Sequence, residues 1–203
     1  KEFFFSFYIF KRYKYLVKRK INKVSVGKKL NVAFFVTQKQ LWGVQSLYDA
    51  FLLNPLFEPF IVAFPDIENK IDSLADTVKS NFSYFLKKKL NVIYGFNISD
   101  NEYISLSDIQ ADIIFYDQPV PHIPKSLLWF NASKNSLICY VPYGFKVANF
   151  YDEHFNLYLH NSCWIICAES SWHKQQFEKY GSRNGKNVIV SGHPKLDQFS
   201  VKT

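Results

Sequence analysis

The sequence predicts an α/β protein, a Rossmann-like parallel sheet with helices on both faces. Three observations carry that expectation. From Lys29 onward, short apolar runs alternate with longer amphipathic segments, the order of a parallel sheet with crossover helices. Several of the runs are solid hydrophobic blocks without period-two alternation, as in strands covered on both faces. Polar residues, glycines and prolines gather where the runs end, and a packed core does not ask for them there.

The predicted strands are 31–37, 57–64, 91–96, 112–118, 136–142, 163–170 and 187–194. Each is rich in Val, Ile, Phe, Tyr or Cys and bounded by polar or turn-forming residues. Helices are expected between them at 43–53, 67–89, about 124–133, 152–160 and 170–180. Asp66 suits the N-cap of the second helix and Pro124 a first helical turn. Gly181 follows the last helical run, where a C-cap glycine stands. In LICYVPYGFK (137–146), Pro142 cannot donate to a ladder and Gly144 allows backbone angles closed to other residues. The strand therefore ends with Tyr143 and Lys146 at its carboxyl edge.

The 203 residues, 48% apolar and 19% aromatic, can bury a core and exclude global disorder. The chain holds no methionine and begins with Lys1, so a piece of a longer gene product is expected. The net charge of +8 is unevenly spread: residues 1–29 hold ten Lys/Arg against Glu2 alone, and the rest is nearly balanced. Residues 1–28 read as a basic aromatic arm on a domain of residues 29–203. The apolar stretch from Phe3 to Phe10 is too short to span a bilayer, and its charges follow it, unlike a signal peptide's. Rings beside Lys11, Arg12, Lys14, Lys18, Arg19 and Lys20 suit an anionic membrane surface. A helix packed on its own protein is the alternative, and nucleic acid comes last. Cys139, Cys163 and Cys167 lie inside apolar runs without metal spacing and read as reduced core thiols.

Ligands of parallel sheets bind beyond the carboxyl ends of the strands. The ends here carry Trp42, Asp117-Gln118, Tyr143-Gly144, Glu169-Ser170 and Gly192-His193. Asp117 follows four apolar residues, where a buried charge is costly. It could take an acceptor's proton or bond the next loop's amides. Ser170 and Ser171 read as helix caps. His122 reads as exposed loop, and His154, His160 and His173 as surface residues of helices. GxGxxG, GxxxxGK[ST] and GxSxG are all missing, which argues against dinucleotide binding, a P-loop kinase and a nucleophile elbow.

The segments KLNVAFFVTQKQLWGVQSLYDAFLLNPLFEPFIVAFP, DIIFYDQPVP, LICYVPYGFK and ESSWHKQQFEKYG, with NVIVSGHPKLDQF, are arranged over residues 29–199 in a layout that resembles the amino-terminal half of a GT-B transferase. In particular it resembles the CDP-glycerol glycerophosphotransferase family, which builds teichoic-acid-like and capsular polymers. The resemblance implies an acceptor-side domain, with a carboxyl-terminal donor domain outside this chain. It implies transfer of an alditol phosphate from a CDP-activated donor to a lipid-linked or polymer acceptor. It implies a place in the bacterial cytoplasm, at the inner face of the membrane. No cofactor, metal or nucleic acid is expected. Many members carry a His-Gly pair after the corresponding strand, the histidine being the proposed base. Gly144 and Lys146 match that segment, and Tyr143 stands at the histidine's place. The expected catalytic residues are therefore Tyr143 and Asp117, with Trp42, Gln118, Gly144, Lys146 and His193 binding substrate. A nucleotide-sugar transferase of the same fold and a non-catalytic acceptor-binding module are the alternatives.

Overall fold

The computed structural model describes residues 2–69, 71–119, 122–146 and 150–199, without the side chains of 2–7, Phe10 and Gln198. In chain order the elements are α1 (Glu2–Ser25), β1 (Leu30–Val36), α2 (Gln45–Leu53), β2 (Phe57–Ala63), α3 (Leu74–Lys87), β3 (Val92–Tyr94), β4 (Phe96–Asn97) and β5 (Glu102–Tyr103). They continue with α4 (Leu106–Ile109), β6 (Ile113–Tyr116), α5 (Trp129–Ala132), β7 (Leu137–Tyr140), α6 (Tyr151–Phe155), α7 (Tyr158–Ser162), β8 (Ile165–Ala168), α8 (Ser171–Tyr180) and β9 (Val188–Val190).

Seven strands form one sheet in the order β3-β2-β1-β6-β7-β8-β9, and every neighbouring pair is parallel. The chain leaves β1 in one direction toward β3 and in the other, from β6, toward β9. Right-handed crossovers running in opposite directions set helices on opposite faces, so the α/β Rossmann-like arrangement is complete. The central strands β6 and β7 are apolar and buried at every position, because both their faces are covered. Register places Phe34 beside Phe115, and their rings stack at 4.9 Å.

Several local expectations change. The second helix starts at Leu74, capped by Ser73, whose hydroxyl accepts the Asp76 N–H. Asp66 instead accepts the Glu68 N–H in the preceding loop, so a short polar side chain caps a turn, not a helix. Pro124 precedes a 3-10 turn, Lys125–Leu127, followed by a separate α5, and the helix expected at 152–160 divides into α6 and α7. The β4–β5 hairpin and α4 were not foreseen. Gly181 does end α8, but with φ of −77°. It is required for close approach, since a Cβ there would stand 2.6 Å from the Phe177 carbonyl. The three cysteines are buried free thiols.

The basic arm is a docked helix. Ile9, Tyr13, Leu16 and Lys20 recur at helical spacing, and all four are buried. The Tyr13 hydroxyl donates to the Ser162 carbonyl at 2.5 Å, and Arg12 donates to the Ser133 hydroxyl. Lys20 Nζ reaches Asp112 Oδ1 at 2.6 Å, Lys23 takes the other oxygen, and the Asn31 N–H donates to Oδ2 at 2.9 Å. The packed-helix alternative therefore describes this part of α1, because a cation stripe meets a buried carboxylate at the amino edge of β6. The aromatic residues Phe3–Phe5, Phe7 and Phe10 lie outside the described side chains.

Burial raises the Asp112 pKa, but hydrogen bonds from Lys20, Lys23 and the Asn31 amide together outweigh it and hold it below the ordinary aspartate value. A depressed folded pKa gives stability that is present above the unfolded value and lost as pH falls through the folded one. Asp112→Asn leaves Lys20 buried without its anion and is expected to cost about 3 kcal/mol near neutral pH. Urea unfolding checks this: the gap from the parent should close below roughly pH 4.

Candidate functional site

The sheet reverses its winding between β1 and β6, so the crevice of the fold opens beyond the carboxyl ends of those two strands. Two amide side chains brace it. Asn81 of α3 donates to the carbonyls of Thr37 at 2.7 Å and Phe64 at 2.8 Å, and its Oδ1 accepts the Lys39 N–H. Gln118, 7% exposed, donates to the Thr37 hydroxyl at 3.2 Å, tying β6 to β1. Gln38 in turn donates to Asp66 and Glu68, and Glu68 pairs with His122, which is half-buried. Trp42 is half-buried. It packs edge-on against Phe34 and Phe85 and gives its indole N–H to Gln45.

Asp117 stands at this switch point, directly after β6. Burial pushes its carboxyl up to about 7; its own N–H and that of Gln118, with the positive Lys195, pull it only part of the way back. Lys195 arrives from a 3-10 turn, Pro194–Phe199, and its Nζ donates to the Tyr143 carbonyl at 2.6 Å. It passes so closely over Gly43 that a Cβ there would meet its side chain at 2.4 Å. The Tyr143 N–H donates to the Asp117 carbonyl at 3.0 Å. The loops after β1, β6, β7 and β9 thus meet beside Asp117. The Tyr143 ring is 43% exposed and stands at the rim, outside the core. Gly144 is not in the left-handed region, and a Cβ there would meet nothing within 4 Å. Glycine is therefore not required by the backbone at that position, contrary to the expectation from the sequence.

A second polar group lies beside the first, at the ends of β7, β8 and β9. Lys146 Nζ bonds Glu169 Oε1 at 2.9 Å with both side chains buried, and it sits 5.8 Å from the centres of Phe155 and Phe177. Burial lowers its pKa and Glu169 opposes that. Lys146 is therefore half of an internal ion pair, its charge met by Glu169. His160, 2% exposed, is pushed down to about 3 by burial, reinforced by Lys146 and His154. His193 is 3% exposed and lies against the Phe145 ring at 4.5 Å, with its Nδ1 accepting the Lys195 N–H. Burial lowers its pKa as well. His173 contacts the Ser170 hydroxyl through Nδ1 at 2.9 Å, and Ser170 caps α8 as expected.

His160 is thus buried and His154 and His173 are half-buried, not the surface residues the sequence suggested. Among the described residues, the buried side-chain polar atoms without a hydrogen-bond partner are His154 Nδ1, His160 Nε2, Glu169 Oε2, His173 Nε2 and His193 Nε2. All belong to this one group. Such atoms carry a desolvation cost unless something meets them. No group of three His, Cys, Asp or Glu able to hold a metal ion occurs among the described residues.

The structure brings Asp117, Tyr143 and Gly144 together with Lys195, and places Lys146 and His193 in the adjoining group. Trp42 and Gln118 spend their polar atoms within the fold. Glu169 and the three helical histidines were missed as site residues. Glu169 carried the same signal as Asp117, a carboxylate directly after an apolar run. No family model, curated protein or solved structure matches the chain. What the fold defines is an α/β protein with a Rossmann-like parallel sheet and a polar cleft at the strands' carboxyl ends.

Proposed function

We propose that the chain is the amino-terminal, acceptor-side domain of a GT-B transferase acting on a cell-surface polymer precursor in bacteria. The reaction is attack of an acceptor hydroxyl on the β-phosphorus of a CDP-alditol, such as CDP-glycerol. The new P–O bond forms as the bond to CMP breaks, and the hydroxyl proton passes to a base. The observation that carries the reading is the Asp117 carboxyl, whose pKa of about 7 suits a general base at neutral pH. Its position at the switch point is where such folds hold substrate. Tyr143, at the rim, is suited to orienting the acceptor. Lys195 is the cation beside Asp117 and is suited to facing the donor phosphates.

In the intact transferase, Asp117→Asn is expected to cut CMP release by about 10²–10⁴-fold, the range for a lost proton-transfer group. Tyr143→Phe, which removes one neutral hydrogen bond, should cost no more than about tenfold. The parent rate should rise with pH through about 7 as Asp117 ionises. A donor screen accompanies the assay. Turnover of a nucleotide sugar alone would replace the phosphotransferase with a glycosyltransferase. The second reading, a non-catalytic acceptor-binding module, is favoured by Tyr143 standing at the place of the family's proposed base. Absence of turnover with every donor would select it.

The reading includes a place at the inner face of the membrane. No helix among the described residues is long and apolar enough to cross a bilayer. Opposite the docked stripe of α1, Lys14, Tyr15, Lys18 and Arg19 are exposed, and each basic residue near an anionic surface contributes on the order of 1 kcal/mol. Replacing Lys14, Lys18 and Arg19 by Glu should release the protein from anionic vesicles while its thermal unfolding stays near the parent's. Unchanged sedimentation would remove the membrane from the account.

A further inference from the structure

Beside Lys146, at the carboxyl end of β7, lies a cavity of about 210 Å³ lined by residues that include Tyr140, Tyr143, Gly144, Lys146, His154 and His160. We propose that this cavity is a subsite for a small uncharged polyhydroxyl unit, an alditol or monosaccharide, hydrogen-bonded by His160 and His154. Its biological role, to seat the uncharged end of the acceptor, rests on the transferase reading; the binding itself does not.

Size, charge and unmet hydrogen bonds each point to this ligand. With liquid water occupying roughly 30 Å³ per molecule, the cavity has room for a small polyol. It falls short of the roughly 300 Å³ at which pockets begin to enclose larger ligands, and so suits a small unit better than a nucleotide. The Lys146 charge is neutralised by Glu169 at 2.9 Å, and Glu153 adds a carboxylate to the lining. His160 stays neutral above about pH 3 because it is buried. The lining therefore offers an anion no net attraction. The His160 Nδ1 accepts the Leu157 N–H at 3.1 Å, which fixes the neutral ring's proton on Nε2. That N–H is buried and unpartnered, as is His154 Nδ1. A hydroxyl both donates and accepts, so one kind of group satisfies both atoms. The exposed faces of Tyr143 and Phe145 at the mouth offer apolar contact to the ligand's carbons.

The test is imidazole ¹⁵N NMR on the 203-residue chain, titrated with xylitol and separately with inorganic phosphate. Saturable shifts of His160 and His154 with xylitol, and none with phosphate, are expected. Gly144→Leu supplies a variant without backbone strain, since a Cβ at this position meets nothing within 4 Å and its φ is not left-handed, and its thermal unfolding is compared with the parent's. Because Gly144 lines the cavity, the added side chain should weaken xylitol binding by up to about tenfold, the scale of one lost hydrogen bond. Phosphate shifting these histidines in place of xylitol would make the cavity an anion site and overturn the proposal. No saturable shift would leave a water-filled cavity, and equal binding by Gly144→Leu would put the ligand elsewhere; either result overturns it too. The transferase reading is judged separately, by the turnover of Asp117→Asn.

Discussion

Seven strands running in one direction bring seven carboxyl ends to a single edge, and the chain must turn there each time. The turning backbone leaves polar groups that a core cannot leave unmatched. Asn81 answers this between β1 and β2, bonding the Thr37 and Phe64 carbonyls and the Lys39 amide at once. Gln118 does so between β6 and β1, and Lys195 does so across to the β7 loop. Because these braces are side chains with fixed reach, they fix the loops relative to one another. The environment of Asp117 follows from that: the braced loops crowd its half-buried carboxyl, and burial disfavours its charged form.

The two edges of the sheet divide the work. At the amino edge, Asp112 gathers Lys20, Lys23 and the Asn31 amide, so its charge is fully compensated and contributes to stability. At the carboxyl edge, Asp117 has only partial compensation, and five buried polar atoms of the neighbouring group lack partners. Compensated charge holds α1 in place, and uncompensated polarity marks where a ligand is to be met. The same residue type thus has opposite pKa directions at the two edges: burial dominates at Asp117, while at Asp112 the cations and amide in reach outweigh it.

The sheet was legible in the sequence because its strands are apolar blocks bounded by polar ends, and NVAFFVT and DIIFYDQ need no tertiary context to be recognised. Helix boundaries were less so. Asp66 and Ser73 are both acceptable caps, and only the loop's bonds to Gln38 and Glu68 show which one opens the helix. Asp117 was legible from its position after an apolar run. The pairing of Lys146 with Glu169 was not legible, because Glu169 lies on the next strand's end and is invisible to local pattern. His160 was misread for a related reason: its neighbours in sequence are polar, while its neighbours in space include the rings of Tyr140 and Phe177.

The account turns on the protonation of Asp117. A ¹³C NMR titration of its carboxyl in the parent protein measures this directly, without relying on a donor, an acceptor or an assay. The account predicts a midpoint at about 7, well above the roughly 4 of an ordinary aspartate. A midpoint near 4 would mean that the braced loops leave the carboxyl hydrated. Asp117 would then be no better placed to accept a proton at neutral pH than a surface aspartate, and the proposed chemistry would be contradicted.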